Sequence, residues 1–361
     1  MSETVSLAVA GDCFPNGHFY KDGQPISDRF GETLKLLASA DLRFANFETP
    51  LSDRGRPAEK LAAIRSDPAL ADDFGRIGFD VVTLANNHVT DYGPDALADT
   101  IGAFDRLGIA HVGAGESIAA AVEPTVIERN GIKLGFIAFT CLAAPGATAT
   151  DERPGVAAIR VHSGYEVNPL WEIEEPGEPL MVTVRTRVDE EDGAAALAHI
   201  RALRTRVDVL CVSMHWGYGG GHDLAEYQRP LAHAVVEAGA DAVLGNHVHG
   251  VQGIEVHEGA PILYSPGTLV GKQIPFDLSE LDDTMRKVVA SMSPDGYVAA
   301  LHLGRGRACE VELTPTSVDD NGLAVPATGE VLDRIVERVV RHSEKLDTSL
   351  TLRNGTLVPA G

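Results

Sequence analysis

The chain has 361 residues, 44% of them hydrophobic, enough to bury one large α/β core or two smaller lobes. Its formal net charge of −22 repels phosphate backbones and anionic lipid, which excludes nucleic acid and membrane surfaces as primary partners. A local cationic or metal-filled pocket could still draw in an anionic small-molecule or peptide substrate. The opening Met1-Ser-Glu-Thr-Val-Ser-Leu lacks the basic and apolar regions of a signal peptide. No apolar run is long enough to insert across a membrane. Cys13, Cys141, Cys211 and Cys309 are scattered without paired spacing, so reduced thiols in a cytoplasmic protein are expected.

Strands and helices are predicted to alternate. Val5–Ala10 reads as a strand that turns at Gly11-Asp12, Thr33–Ser39 as a helix and Leu42–Phe47 as the next strand. Pro68–Ile77 is predicted helical, and Asp80–Leu84 a strand ending at Ala85-Asn86-Asn87-His88. Pro94–Leu107 is an amphipathic helix with proline in its first turn. A short strand follows at Ala110–Val112 and a stronger one at Ile132–Thr140. The segment 142–193 breaks the rhythm with Pro, Gly, Ala and acids, and reads as an insertion or lid with a hairpin around Leu180–Arg187. The alternation then resumes: helix Ala194–Arg204, strand Val207–Ser213, helix Ala225–Ala238, strand Ala242–Leu244 and strand Pro261–Ser265. In 313–361, Leu332, Ile335, Val336, Val339 and Val340 form the apolar stripe of a helix expected to dock on a main body of residues 1–312. This rhythm argues for a layered α/β fold.

Five clusters of metal-ligand residue types each follow a predicted strand. They are Asp12 in AGDCF, Glu48 in FANFETPL, Asn87 and His88 in LANNHVTDYG, His215 in SMHWG, and His247 with His249 in GNHVHG. Open α/β folds gather ligands at the carboxyl ends of strands, where chain reversals bring distant residues together. A single Asp after a strand is ordinarily a turn residue, and a single His a satisfied core or surface group. His247 and His249 lie two apart, so in an extended segment both rings would share a face. Carboxylate, amide and imidazole donors without thiolate suit divalent Mn, Fe, Zn, Co or Ni. Two ions about 3.5–4 Å apart, bridged by a carboxylate, use so many donors more naturally than one.

These motifs, with Gln228-Arg-Pro-Leu-Ala, GADAVLGNHVHGVQGIE and ILYSPGTLV, resemble the poly-γ-glutamate capsule biosynthesis (CapA-like) family of the calcineurin-like metallophosphoesterase superfamily. The resemblance runs in order from residue 5 to about 275, weakest over 142–205. It implies a four-layer α/β/β/α sandwich. It further implies that Asp12 and His249 hold one metal, that Glu48 bridges, and that Asn87, His215 and His247 hold the second. By the same resemblance His88 protonates a leaving group, with Asp91 orienting it; Asp91 could otherwise cap the Pro94 helix. Phe14 stands where many relatives carry a histidine, and His18 is the candidate substitute.

The resemblance implies a metal-dependent hydrolase of a phosphoester or amide bond, holding two divalent ions (Mn, Zn or Fe). Two other readings are a metal-assisted epimerase with His222 or Asp91 as base, and a non-catalytic scaffold in polymer synthesis. Tyr218-Gly-Gly-Gly-His222 could gate the substrate, and Arg185 and Arg187 could bind an anionic group from the insertion.

Overall fold

The computed structural model describes residues 4–178, 181–272, 286, 292–306 and 309–360, a mixed α/β chain with several sheets and eight helices among these residues. The first strand, β1 (Thr4–Cys13), shows how the sequence builds its layers. Val5, Leu7 and Val9 enter one apolar cluster, while Ala8 and Ala10 enter another. This is the period-two alternation of a strand buried on both faces. Beside it run β4 (Leu42–Phe47), β5 (Val81–Thr83) and β6 (Ala110–Val112), all parallel. On the other side lie β18 (Asp295–Gly304) and β19 (Glu310–Val318), antiparallel. The hairpin β21 (Leu350–Arg353) and β22 (Thr356–Pro359) completes the edge, while β17 (Thr268–Val270) joins β1 and β20 (Ala324–Pro326) joins β19.

A second sheet has six strands. Its order is β15 (Ile254–His257), β16 (Ala260–Leu263), β14 (Ala242–Asn246), β13 (Val209–His215), β9 (Ile132–Thr140) and β8 (Thr125–Arg129). One cluster draws on both sheets: Val5, Leu7 and Phe44 meet Leu134, Phe136, Val209 and Leu244. Phe44 and Phe136 stack at 6.0 Å between centroids. A second cluster joins the first sheet to α1 (Asp28–Ala38), α2 (Leu70–Ile77) and α3 (Pro94–Leu107) through Phe30, Phe47, Phe74 and Phe104. A third joins the second sheet to α6 (Glu190–Arg204) and α7 (Gln228–Glu237) through Phe139, Leu203, Val212 and Val235. Each fully buried phenylalanine of this kind contributes roughly 1.5–3 kcal/mol. The arrangement is compatible with an α/β sandwich.

Helix ends differ from the sequence reading where a polar residue caps the chain earlier. Ser27 accepts from Phe30 N and starts α1 at Asp28, and Asp189 accepts from Asp192 N and starts α6 at Glu190. Residues 142–159 are not all peripheral, since Ala147, Ala149, Val156 and Ile159 are buried. The projecting part is the hairpin β11 (Val161–Val167) and β12 (Val182–Val188), with the short helix α5 (Pro169–Glu174) between its strands. The expected boundary at 312/313 falls inside β19. Residues beyond it supply strands as well as the expected helix, α8 (Gly329–Glu344). The Asn354-Gly355 turn between β21 and β22 is the hairpin signal.

Candidate metal centre

The parallel strands of both sheets deliver their ends to the same place. Asp12 is the register partner of Asn46 on β4 and of Thr268 on β17. The approach of β17 requires Gly11, because a Cβ there would sit 1.8 Å from the Gly267 carbonyl oxygen. Glu48 follows β4, His215 ends β13, and His247 follows β14.

Around Glu48 these side chains converge. Glu48 Oε1 lies 3.4 Å from His215 Nε2, 3.9 Å from His247 Nδ1 and 3.7 Å from His249 Nε2. Asp12 Oδ2 lies 3.2 Å from His249 Nδ1. Asn87 Oδ1 accepts from His215 Nε2 at 2.7 Å. The rings of His215 and His247 are 4.8 Å apart. Asp12, Glu48 and His215 are fully buried.

His247 and His249 reach the cluster by a different route from the extended segment expected. Both have positive φ, 105° and 54°, in the left-handed region that ordinary side chains avoid. The irregular backbone sends the two rings to different donor groups, with centroids 6.1 Å apart. Glu48, His215 and His247 form one group of potential ligands, and Asp12, Glu48 and His249 form another; within each, the donor atoms lie within 4.8 Å of one another. Such strain persists where surrounding structure enforces it, and it clusters at functional sites.

The residues fit a pair of divalent ions. Glu48 Oε1 and His247 Nδ1 are buried without a hydrogen-bond partner, an expense that a ligated cation would remove. The donors are carboxylate, imidazole and amide, a set that divalent cations accept. Burial opposes the charge on Glu48, yet His249 and His215 outweigh it and hold the carboxyl well below its ordinary range. Burial takes His247 down to about 3. His249 is subject to the same burial, but Glu48 and Asp12 raise it to about 9. Burial and the charge of Asp12 push the Cys13 thiol well up, so Cys13 is core filler rather than a thiolate donor.

Asp91 does not cap α3. The N-cap is Gly93, with no side-chain bond. Asp91 Oδ2 instead lies 2.7 Å from His88 Nδ1 and accepts from Ile64 N at 2.8 Å. Lys60, which the sequence reading missed, completes the group. Its Nζ donates to Asp91 Oδ1 at 2.7 Å and to the Asn87 carbonyl at 2.6 Å. Asn46 and Asn86 were also missed. Asn46 Nδ2 donates to Asp12 Oδ1 at 2.7 Å and to Glu48 Oε2 at 3.1 Å. Asn86 Nδ2 donates to Asn46 Oδ1, and Asn86 Oδ1 accepts from the backbone of His88 and Val89. The signal for Asn46 was its place two residues before Glu48.

Other candidates lie apart from this cluster. His18 is bound to Asp73 at 2.9 Å with its side chain 64% exposed, so it does not fill the place of the missing histidine. Phe14 fills that place, its ring edge-on to His249 at 4.9 Å. Arg185 is exposed on β12 and ion-paired with Glu166 and Glu226, and Arg187 is an exposed neighbour on the same strand. Tyr218 is half-exposed. His222 Nδ1 donates to the Val251 carbonyl at 3.3 Å. The four cysteines are free. Among the described residues no helix is long and apolar enough to cross a membrane.

Fold and cluster together define an α/β protein with two candidate divalent-metal sites sharing one buried glutamate. The family model described as bacterial capsule synthesis protein PGA_cap matches residues 6–273, and the chain belongs to that family. It is similar to the capsule biosynthesis protein CapA of Bacillus anthracis, 29% identical over 282 residues, covering 75% of this chain and 61% of that protein. It is similar to the PGA biosynthesis protein CapA of Bacillus subtilis, 27% identical over 330 residues, covering 90% of this chain and 74% of that protein. A probable polyglutamine synthesis accessory protein of Mycobacterium tuberculosis is 31% identical over 248 residues, covering 67% of this chain and 59% of that protein. The matches thus span less than two thirds of the Bacillus anthracis and Mycobacterium proteins.

Proposed function

We propose that this chain is a metal-dependent hydrolase of the calcineurin-like type, acting on a phosphoester or amide bond of an anionic substrate. The observation that carries the reading is Glu48, fully buried and shared by two groups of potential ligands. Asp12, Glu48 and His249 would hold one ion, and Glu48, Asn87, His215 and His247 the other. When bound, such a pair supplies Lewis acidity and lowers the pKa of water. Asn46 holds both carboxylates by donating to each. His88 acts as general acid from Nε2, while Asp91 keeps Nδ1 engaged at 2.7 Å. Lys60 Nζ donates to Asp91 at 2.7 Å and lies 3.3 Å from His88 Nδ1. Tyr218 and His222 stand on the loop after His215, where they would gate the substrate.

The test is elemental analysis of protein purified without added metal, followed by a phosphatase and peptidase substrate panel. Ions bound in amounts that His247→Ala removes, with turnover lost in step, are expected. A protein that binds no divalent ion would end this reading. A second reading, an accessory role in polymer synthesis, draws support from the name of the Mycobacterium relative and from Phe14. No contact at the site favours the epimerase reading, and Asp91, one of its two candidate bases, is held by Lys60 and Ile64.

A further inference from the structure

Residues 53–65 run against the charge of the chain. In a molecule of net charge −22, this stretch carries Arg54, Arg56, Lys60 and Arg65 against Asp53 and Glu59. Three of these cations are committed. Arg54 Nε donates to Asp99 at 2.8 Å, Lys60 is bound to Asp91, and Arg65 lies over the Tyr92 ring at 4.7 Å. Arg56 is exposed and has no ion-pair partner among the described residues. Its loop is nevertheless held in place. Gly55 has a φ of +84°, and a Cβ there would lie 1.8 Å from the Tyr92 carbonyl oxygen, so the two backbones are in direct contact. Ala58 N donates to the Asp91 carbonyl at 2.7 Å.

Arg56 faces a cavity of about 250 Å³ that it shares with Arg153, Asp91, Pro94, Leu97 and Pro145. Arg153 has no carboxylate partner among the described residues; its guanidinium donates to the Thr148 carbonyl at 3.0 Å. Asp91 is the one acid in the wall, and its charge is offset by Lys60 at 2.7 Å. The remaining lining is mostly apolar. Two guanidinium forks over an apolar wall match an anionic head on a hydrocarbon stem.

We propose that this cavity is a subsite for an aliphatic carboxylate, held by Arg56 and Arg153. Its position joins it to the candidate metal centre. Asp91 lies in its wall and binds His88, and Asn87, next in the chain, binds His215. The hydrolase reading gives the subsite its catalytic meaning, as the place where an acidic substrate is anchored. Binding of the carboxylate does not itself depend on that reading.

Ligand-observed NMR titration of the full chain tests it, with butyrate and inorganic phosphate as probes. The proteins are wild type, Arg56→Gln, Arg153→Gln and His247→Ala, each checked for cooperative thermal unfolding. Butyrate should bind wild type and His247→Ala alike, and each arginine variant should weaken it about tenfold or more. Butyrate affinity unchanged in both arginine variants, or lost in His247→Ala alone, would overturn the subsite. Arginine-dependent binding of phosphate without butyrate would overturn the carboxylate assignment. Arginine-dependent butyrate binding in a protein with no turnover would leave the subsite standing and count only against the hydrolase reading.

Discussion

Asn46 and Asp12 are joined twice, as register partners on neighbouring strands and by a side-chain bond of 2.7 Å from Nδ2 to Oδ1. The same amide donates to Glu48, so one neutral side chain holds apart two buried carboxylates that would otherwise repel. Asn46→Leu should destabilise the protein by roughly 2–5 kcal/mol, since two charge-assisted bonds are lost. Asn46→Asp should destabilise the chelated protein further, because a third negative charge enters a buried site. Added Mn²⁺ should recover much of the Asn46→Asp loss and little of the Asn46→Leu loss. Denaturant titrations with and without metal measure this, and equal behaviour of the two variants would refute it.

His88 and Asp91 should separate chemistry from metal retention. His88→Ala should lower kcat by roughly 10²–10⁴-fold with bound metal unchanged, as expected for a lost general acid. Asp91→Asn should lower it less, because the ring stays but loses its charged partner. If His88→Ala strips an ion, with activity falling in proportion, His88 is a ligand and the assignment fails.

The sequence carried the strand-end clusters because each is local: an apolar run followed within about five residues by a metal-ligand type. Asp12, Glu48, Asn87, His215, His247 and His249 were legible on that basis, and the structure brings them together around Glu48. What was not legible is long-range or irregular. Lys60 reaches Asp91 across 31 positions through a loop without periodicity. The positive φ angles of His247 and His249 have no local signature in His-Val-His, so the extended reading failed while the convergence survived. The strands β18 and β19 form an antiparallel hairpin outside the βα rhythm, and the pairing of β18 with β1 joins residues almost 300 positions apart.

Asp208 offers a pH test away from the centre. Its carboxylate binds Arg305 beyond β18 and the Lys133 backbone N–H at the start of β9, tying the two sheets. Arg305 foremost, and Lys133 next, lower it from 3.8 to about 2. A depressed carboxyl contributes stability above its unfolded value and loses it as pH falls through the folded one. Asp208→Asn should therefore cost under about 1 kcal/mol at neutral pH, because the pair is partly exposed. The difference from wild type should shrink below about pH 4 and vanish only once the pH is below about 2. Denaturation curves across that range check it, and a gap that persists at the acid end would assign the effect to packing.

Phe14 lies with its ring edge-on to His249 at 4.9 Å, at the position where the family resemblance implies a further imidazole donor. With Phe14 there and His18 turned to Asp73, the Asp12, Glu48 and His249 group offers three protein donors. The group of Glu48, Asn87, His215 and His247 offers four. Fewer protein donors leave more positions to water and weaker retention, so the first site should lose its ion first under mild chelation. Purified protein should then carry between one and two ions, and added Mn²⁺ or Zn²⁺ should raise turnover. Phe14→His should raise occupancy of the first site and slow its exchange. It should also lower stability by about 1–3 kcal/mol, because an almost fully buried ring is replaced by a smaller polar one. Metal stoichiometry before and after dialysis against a weak chelator, with thermal unfolding of both proteins, measures each part. Two ions held equally tightly by the wild type would contradict the asymmetry, and would mean that Phe14 displaces no donor the site needs.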